Sequence, residues 1–317
     1  MAESIKKNLF VIITLGLSIG VLLYFLCTTD GITTMGEIIL SLKTEWLFIA
    51  IGAAVLCWIS EGFTLNLLCI HLYPEWKFKK SFYVGMIGLL YSALTPFSTG
   101  GQPMQIYTMR KMGMDTGKAG SIIAVKTITY QVVMVLYSLV LVAAKLRFFQ
   151  TSVSNFSFVT IIGLVTNGTF IALVILFMIS ATTTDKIVSS VIHFLHKLKL
   201  CRHPEERYEK IHSQLEIFHD ASRLMGNSVK LYVNVIAVTI LQITLNSLIP
   251  YFIYRSFNMD TASVSTMVAA QVFVAMVSAF VPLPGASGGA EGSFYIFFGM
   301  FFKSVIIPAI LMWRIIT

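Results

Sequence analysis

Two stretches of the sequence combine proline and glycine in the same order within segments that are otherwise apolar. The first is Pro96-Phe97-Ser98-Thr99-Gly100-Gly101-Gln102-Pro103, and the second is Pro284-Gly285-Ala286-Ser287-Gly288-Gly289-Ala290-Glu291. They are separated by 188 positions (284 − 96). Proline and glycine interrupt helices, and paired breaks at matching positions of two apolar halves are typical of the binding site of a membrane transporter.

Ionisable side chains accompany these breaks. Glu61 and Lys126 lie inside apolar runs, Glu291 closes the second break, and Arg110 follows the first. A charged side chain within a membrane segment is costly, so it is a functional candidate by default. Arg110 is expected at the membrane interface, where its side chain reaches lipid phosphates. The candidate binding residues are Glu61, Gly100, Gly101, Gln102, Arg110, Lys126, Gly288, Gly289 and Glu291, with Pro96 and Pro284 as the breaks.

The composition indicates that the solvent of this chain is a lipid bilayer. Of 317 residues, 56% are apolar and 12% are charged, whereas soluble domains contain roughly 25% charged residues. The formal charge of +8 favours anionic lipid surfaces over nucleic acid, because the cations flank apolar segments. The four cysteines show no paired spacing, and the histidines of the central polar segment match no metal-ligand pattern. The sequence therefore predicts no metal and no cofactor.

Apolar runs long enough to cross a bilayer alternate with the two broken segments. The predicted spans are Leu9–Cys27, Trp46–Ile70, Ala119–Ala144, Phe156–Ala181 and Leu231–Tyr254. A final helix is predicted to begin at Ser304 and to be too short to cross, so it is expected to be incomplete at Thr317. The broken runs from Ser81 to Met109 and from Thr261 to Phe302 are predicted to be re-entrant hairpins. The polar segment 182–230 is predicted to form amphipathic helices at the membrane surface.

These elements predict an all-α polytopic integral membrane protein made of two inverted repeats. Residues 1–150 form the first repeat and residues 151–317 the second, each with three spanning helices and one re-entrant hairpin. An odd number of crossings per repeat requires the inversion. Lysine and arginine are concentrated in the N-terminus, the 77–80 loop, the 110–118 loop and segment 182–230, which predicts that these lie in the cytoplasm.

The motifs resemble a known family. They are Thr95-Pro96 with Gly100-Gly101-Gln102-Pro103, the polar residue in Ala124-Val125-Lys126-Thr127, Pro282-x-Pro284-Gly285 with Gly288-Gly289-x-Glu291, and the closing Trp313-Arg314-Ile315-Ile316-Thr317. The chain is similar over its whole length to the lysylphosphatidylglycerol synthase/flippase transmembrane family, the membrane half of the bacterial multiple-peptide-resistance factor and its stand-alone relatives. Many members carry Glu-Arg where this chain has Val125-Lys126. The sequence shows no soluble aminoacyltransferase domain, so we expect no lysyl transfer.

The resemblance implies translocation of a phospholipid, such as lysylphosphatidylglycerol or another anionic or aminoacylated lipid, between leaflets of the bacterial inner membrane. Lys126 would hold the lipid phosphate with Glu61 and Glu291 as partners, or the carboxylates would receive a cationic head group. Alternatively, Lys126 and Glu291 form a structural ion pair that locks the hairpins together. We expect the two glycine pairs to meet near the midplane, with Lys126 and Glu291 lining one cavity.

Two other function classes stay open from the sequence. The first is a membrane-embedded phosphatidylglycerol lysyltransferase, or its membrane subunit, linked to resistance to cationic antimicrobial peptides. No intramembrane histidine or cysteine stands beside a base, and no nucleotide-binding loop is visible, which disfavours it. The second is a channel-like scaffold, disfavoured because the ionisable groups are few. The expected partners are a membrane phospholipid, a separate lipid-synthase protein and a second copy of the chain.

Overall fold

The computed structural model of the chain describes residue 20 and residues 41–152, 156–197, 204–278, 281 and 283–317. Within these ranges the chain forms α-helices, short 3-10 turns and loops, and no β-strand. The predicted all-α class is therefore confirmed for the described residues. The predicted first span Leu9–Cys27 lies outside them, apart from residue 20.

The described helices have bounds close to the predicted ones. In chain order they are α1 Thr44–Leu72, α2 Phe78–Leu94, α3 Gly101–Lys111, α4 Thr116–Ser152, α5 Phe156–Ile179, α6 Ala181–Lys197, α7 Pro204–Gly226, α8 Val229–Ser256, α9 Val264–Ser278, α10 Gly289–Phe302 and α11 Ile306–Ile316. Three 3-10 turns, Pro96–Ser98, Pro284–Ala286 and Lys303–Val305, separate α2 from α3, α9 from α10 and α10 from α11.

The first broken segment folds into a hairpin of α2 and α3, which pack against each other. The Tyr73 hydroxyl, just before α2, donates to the Asp115 carboxylate, just after α3, over 2.9 Å. The chain therefore enters and leaves this hairpin at the same end of the molecule. An α2 of 17 residues is about 25 Å long, which is short of a bilayer core of roughly 30 Å.

The second broken segment folds in the same way from the other end. The ring of Phe302, the last residue of α10, lies edge-on to Tyr254 near the end of α8, with centroids 5.4 Å apart. The chain then turns at Lys303, whose φ is +50°, and α11 runs back along α10. Phe294 stacks on Trp313 with centroids 4.8 Å apart, so residues 19 positions apart in sequence are neighbours in space.

The two hairpins enter from opposite ends because α1 and α8 are antiparallel. At one end the backbone N–H of Lys43 donates to the carbonyl of Ser256 over 2.9 Å. At the other end Leu68 of α1 shares a buried apolar cluster with Leu231 of α8. The turns Pro96–Ser98 and Pro284–Ala286 contact each other between these ends. A twofold relation between the two halves, and the boundary at residue 150, stay predictions.

The outer surfaces of the long helices are apolar, as contact with lipid requires. Phe48, Val140 and Ile179 are 72%, 68% and 79% exposed. Four described stretches have the length and apolar composition of a membrane span: Thr44–Leu72, Thr116–Thr151, Val229–Ser256 and Pro284–Ile316. The fourth stretch, Pro284–Ile316, folds back at Lys303, so it consists of two shorter helices, α10 and α11, that pack on each other. We conclude that the chain is an integral membrane protein.

The predicted span 156–181 and the predicted surface segment 182–230 are joined by a sharp bend. Helix α5 is turned by 98° relative to α6 at Ser180, and the two would make a fifth span only as a bent pair. Helix α7 packs on α4, where the N–H of Gly117 donates to the side-chain oxygen of Gln214 over 2.9 Å. A Cβ at position 117 would lie 2.4 Å from the Gln214 carbonyl oxygen. Helix α7 is amphipathic as predicted, but one face of it is covered by α4.

Candidate functional site

A buried ion pair between Lys126 of α4 and Glu61 of α1 forms the centre of the candidate site. The amide nitrogen of Gln105, on α3, donates to one carboxylate oxygen of Glu61 over 3.3 Å. The amide nitrogen of Gln242, on α8, donates to the other oxygen over 3.4 Å. The Lys126 ammonium also donates to the amide oxygen of Gln105 over 3.3 Å. Side chains from α3, α4 and α8 thus converge on the carboxylate of Glu61 on α1, a side chain that is 10% exposed.

Glycines on α2 make room for this cluster. A Cβ at Gly85 would lie 3.2 Å from Cγ of Glu61, and a Cβ at Gly88 would lie 2.1 Å from the amide nitrogen of Gln105. Because interiors are close-packed, a larger residue at position 88 would displace Gln105. The first hairpin therefore contributes both a partner of Glu61 and the space that this partner occupies.

A second buried ion pair lies at the start of α10. Glu291 accepts one hydrogen bond from the backbone N–H of Gly288 over 2.7 Å and another from Nε of Arg314 over 2.7 Å. The guanidinium of Arg314 also donates to the carbonyl oxygen of Gly285 over 3.4 Å. A carboxylate in the first turn offsets the positive end of the helix dipole. Arg314 consequently connects α11 to both α10 and the second hairpin tip.

The two tips share a left-handed backbone. Phe97 has φ 54° and ψ 16°, and Gly285, at the corresponding position, has φ 59° and ψ 18°. The following residues, Ser98 and Ala286, both have φ 54°. Side chains other than glycine are strained in this region by about 1–2 kcal/mol per residue. Such strain is concentrated at functional sites in proteins.

The structure brings some of the predicted residues together and separates others. The turns that precede Gly100-Gly101 and Gly288-Gly289 contact each other, and Lys126 contacts Glu61. Lys126 is not paired with Glu291, because each has a partner within or beside its own hairpin. The alternative of a Lys126–Glu291 ion pair is therefore not what the structure contains.

A cavity of about 950 Å³ lies between α3, α4, α5 and α7, and it contains the remaining predicted residues, Gln102 and Arg110. These two and Ile106 follow one another along one face of α3, while Gln105 faces Glu61. Lys126 and Glu291 are not among the residues that line this cavity, although Ala124 and Thr127, beside Lys126, are. The Lys126–Glu61 pair, the Glu291–Arg314 pair and this cavity are thus three distinct features, and the expected cavity with both Lys126 and Glu291 in its wall stays a prediction.

Three polar side chains of these clusters were missing from the sequence prediction: Gln105, Gln242 and Arg314. A usable signal existed for Arg314, because it follows Lys126 by the same 188 positions (314 − 126) that separate the two proline-glycine breaks. Each half therefore has a cation at the equivalent position of the helix that follows its hairpin, and each of these two cations is paired with a buried carboxylate. The glutamines had no comparable signal, since an uncharged amide in an apolar run is not diagnostic.

Comparison with known proteins identifies the family. The sequence model described as the lysylphosphatidylglycerol synthase TM region matches residues 11–317. The chain belongs to this family. The resemblance deduced from the motifs is therefore confirmed. The chain is also similar to a UPF0104 membrane protein of Archaeoglobus fulgidus, at 23% identity over 290 residues that cover 87% of this chain and 83% of the relative. No solved structure matches the chain.

Proposed function

We propose that this chain moves a phospholipid with an anionic or aminoacylated head group, such as lysylphosphatidylglycerol, between the leaflets of the bacterial inner membrane. The observation that carries the proposal is the contact of two hairpin tips that enter from opposite ends, beside the buried Lys126–Glu61 pair. Broken backbone at membrane depth is tolerated only where protein or a wet cavity satisfies its polar groups. A polar path past these tips would lower the cost of carrying a head group through the hydrocarbon.

Lys126 is the proposed counter-ion of the lipid phosphate. Its ammonium pairs with Glu61 in the structure, and Glu61 also accepts hydrogen bonds from Gln105 and Gln242. These two amides would continue to satisfy the carboxylate if the ammonium turned to an arriving phosphate. The amides lower the cost of this movement, but a buried carboxylate also needs its counter-charge, so the ammonium has to stay within reach of Glu61 while it binds the phosphate.

The second ion pair has a different proposed role. Arg314 holds Glu291 and the carbonyl of Gly285, so it fixes the second tip to α11. Alternating access requires one rigid surface against which a mobile part can move. We assign Glu291, Gly288 and Gly289 to the fixed tip. We assign Gly100 and Gly101, about one helical turn before the Lys126 partner Gln105, to the tip at which the head group passes.

The test is translocation by the purified protein in vesicles. Phosphatidylglycerol with a fluorescent head group is placed in both leaflets, and an impermeant reductant then quenches the outer leaflet, so translocation appears as loss of the protected fraction. We expect the wild type to translocate lipid faster than protein-free vesicles do. Lys126→Gln should be at least about tenfold slower than the wild type, because it loses roughly one charged hydrogen bond to the phosphate. Lys145→Gln, which removes a lysine from the same helix about five turns away, serves as the control and is expected to match the wild type.

Lysyl transfer is the competing function, because the family description names a synthase. The same protein is therefore incubated with phosphatidylglycerol and radiolabelled lysyl-tRNA. We expect no labelled lipid. If the wild type leaves the protected fraction as it is in protein-free vesicles but forms labelled lysyl lipid, lysyl transfer replaces translocation as the function.

A further inference from the structure

The cavity between α3, α4, α5 and α7 has a polar end and an apolar wall. Near the C-terminal end of α3, the lining of the cavity includes Arg110, Asp115 and, from α7, Lys210. Toward the hairpin tip the lining includes Gln102, eight residues or about 12 Å further along α3, and Thr127, which is adjacent in sequence to Lys126. The cavity therefore extends from the end of the first hairpin to the neighbourhood of the buried ion pair.

The polar end carries an excess of positive charge. Asp115 accepts a hydrogen bond from the Tyr73 hydroxyl over 2.9 Å and pairs with Lys118 over 3.6 Å. The guanidinium of Arg110 makes no hydrogen bond or ion pair with any residue in the described part of the chain. Its guanidinium is thus available at the edge of the cavity, and a planar guanidinium binds phosphate oxygens in a bidentate manner.

The rest of the wall is suited to hydrocarbon. The apolar side chains in it include Ile106, Ile123, Phe170, Val174, Phe177 and Phe218. At about 950 Å³, the cavity lies at the upper end of the roughly 300–1,000 Å³ that small-molecule sites occupy. A free inorganic anion would leave this apolar wall without a partner, whereas a phospholipid would cover it with an acyl chain.

We propose that this cavity is a loading site for an anionic phospholipid, which places its phosphate at Arg110 and one acyl chain against the apolar wall. The inference rests on the proposed translocation, since it gives the lipid a position from which its head group reaches Lys126. Helix α7 forms the outer side of the site, and Gly117 keeps it close to α4. Lys210 adds a second cation from α7.

Binding to the purified full chain in detergent tests the site separately from transport. Native mass spectrometry compares phosphatidylglycerol with phosphatidylcholine of the same acyl chains, and glycerol phosphate serves as a competitor without acyl chains. We expect phosphatidylglycerol to bind several-fold more tightly than phosphatidylcholine, and glycerol phosphate not to displace it. Arg110→Gln should weaken phosphatidylglycerol about five- to tenfold by removing a charged hydrogen bond.

Two further variants make the result specific to the cavity. Lys111→Gln removes the neighbouring cation, which lies over the Tyr107 ring at 4.7 Å and outside the cavity lining, and it should bind like the wild type. Ala124→Phe fills the cavity without a change of charge and should weaken binding by a similar factor to Arg110→Gln. Equal losses for Arg110→Gln and Lys111→Gln would overturn the proposal in favour of general surface attraction, and so would normal binding by Ala124→Phe.

The outcomes separate this inference from the proposed function. If the wild type translocates lipid but Arg110→Gln and Ala124→Phe both bind phosphatidylglycerol normally, the loading site is wrong and translocation stands. Alternatively, the wild type and Lys111→Gln bind phosphatidylglycerol more tightly than Arg110→Gln and Ala124→Phe while the wild type fails to translocate it. In that case the cavity stands as a lipid-binding site and translocation is wrong. Displacement by glycerol phosphate would overturn the lipid assignment in favour of a free phosphate ester.

Discussion

At the scale of single residues, the Lys126–Glu61 pair has to be separated into its contribution to stability and its contribution to transport. Glu61 is 7% exposed, so a variant that removes only the lysine leaves a buried carboxylate without its counter-charge. Breaking a buried pair in this way costs about 3–5 kcal/mol, whereas replacing both partners costs much less. The single and double variants therefore report different quantities.

We predict that Lys126→Gln lowers the melting temperature in detergent and that adding Glu61→Gln restores most of the loss. Gln105 and Gln242 can donate to an amide oxygen at position 61 as they do to the carboxylate. Thermal unfolding is measured for both variants beside translocation in vesicles. A double variant with restored stability and no translocation supports a functional lysine. A double variant that regains translocation together with stability would show that the pair only holds the helices together.

The sequence predicted this pair only in part, for a physical reason. An ionisable side chain inside an apolar run needs a partner, so the involvement of Glu61 and Lys126 follows from their types and positions. Which carboxylate pairs with which cation depends on the rotation of each helix about its axis. That rotation is set by close packing, such as the contact of Gly85 with Glu61. The Glu291–Arg314 pair escaped prediction for this reason.

At the scale of elements, the hairpin tips were the most predictable part of the chain. Proline and glycine act locally, so the breaks at Pro96 and Pro284 could be placed from the sequence alone. The left-handed backbone at Phe97 could not be predicted, because a bulky residue normally avoids it. The sharp bend at Ser180 was also missed, since no proline or glycine lies at that position.

We predict that Gly285→Ala destabilises the protein by more than its backbone strain alone. Gly285 has φ 59° and ψ 18°, the left-handed region in which an alanine is strained by about 1–2 kcal/mol. The new Cβ would also approach the other hairpin, 3.2 Å from the Ala93 carbonyl oxygen. Thermal unfolding in detergent measures the loss, and Gly292→Ala, where nothing lies within 4 Å of the new Cβ, is the control that should keep the stability of the wild type. A loss at position 285 no larger than the backbone strain would mean that the tips do not press on each other.

At the scale of the whole molecule, the fold is two hairpins held between antiparallel helices. One end contains the loops before α2 and after α3, which the Tyr73–Asp115 hydrogen bond joins, together with the contact of α7 with Gly117. The other end contains Lys43 and Ser256, followed by the loop before α9. The all-α class and the spans at Thr44–Leu72, Thr116–Thr151 and Val229–Ser256 followed from apolar run lengths. The packing of α7 on α4 did not, because an amphipathic pattern suits a membrane surface and a protein surface equally well.

Sidedness is the remaining property of the whole molecule, and its prediction combines charge with geometry. The lysine- and arginine-rich loops 77–80 and 110–118 lie at one end, next to α7, so the positive-inside rule places this end in the cytoplasm. Single cysteines at Asp115, Ser213 and Asp260, all exposed, report on the two ends when the four natural cysteines are replaced. In intact cells, an impermeant maleimide should label only Asp260→Cys. In inverted membrane vesicles, it should label only Asp115→Cys and Ser213→Cys. Labelling of Asp115→Cys and Ser213→Cys from opposite sides would contradict the contact of α7 with α4, because Gly117 and Gln214, which lie beside the two labels, are joined by a hydrogen bond.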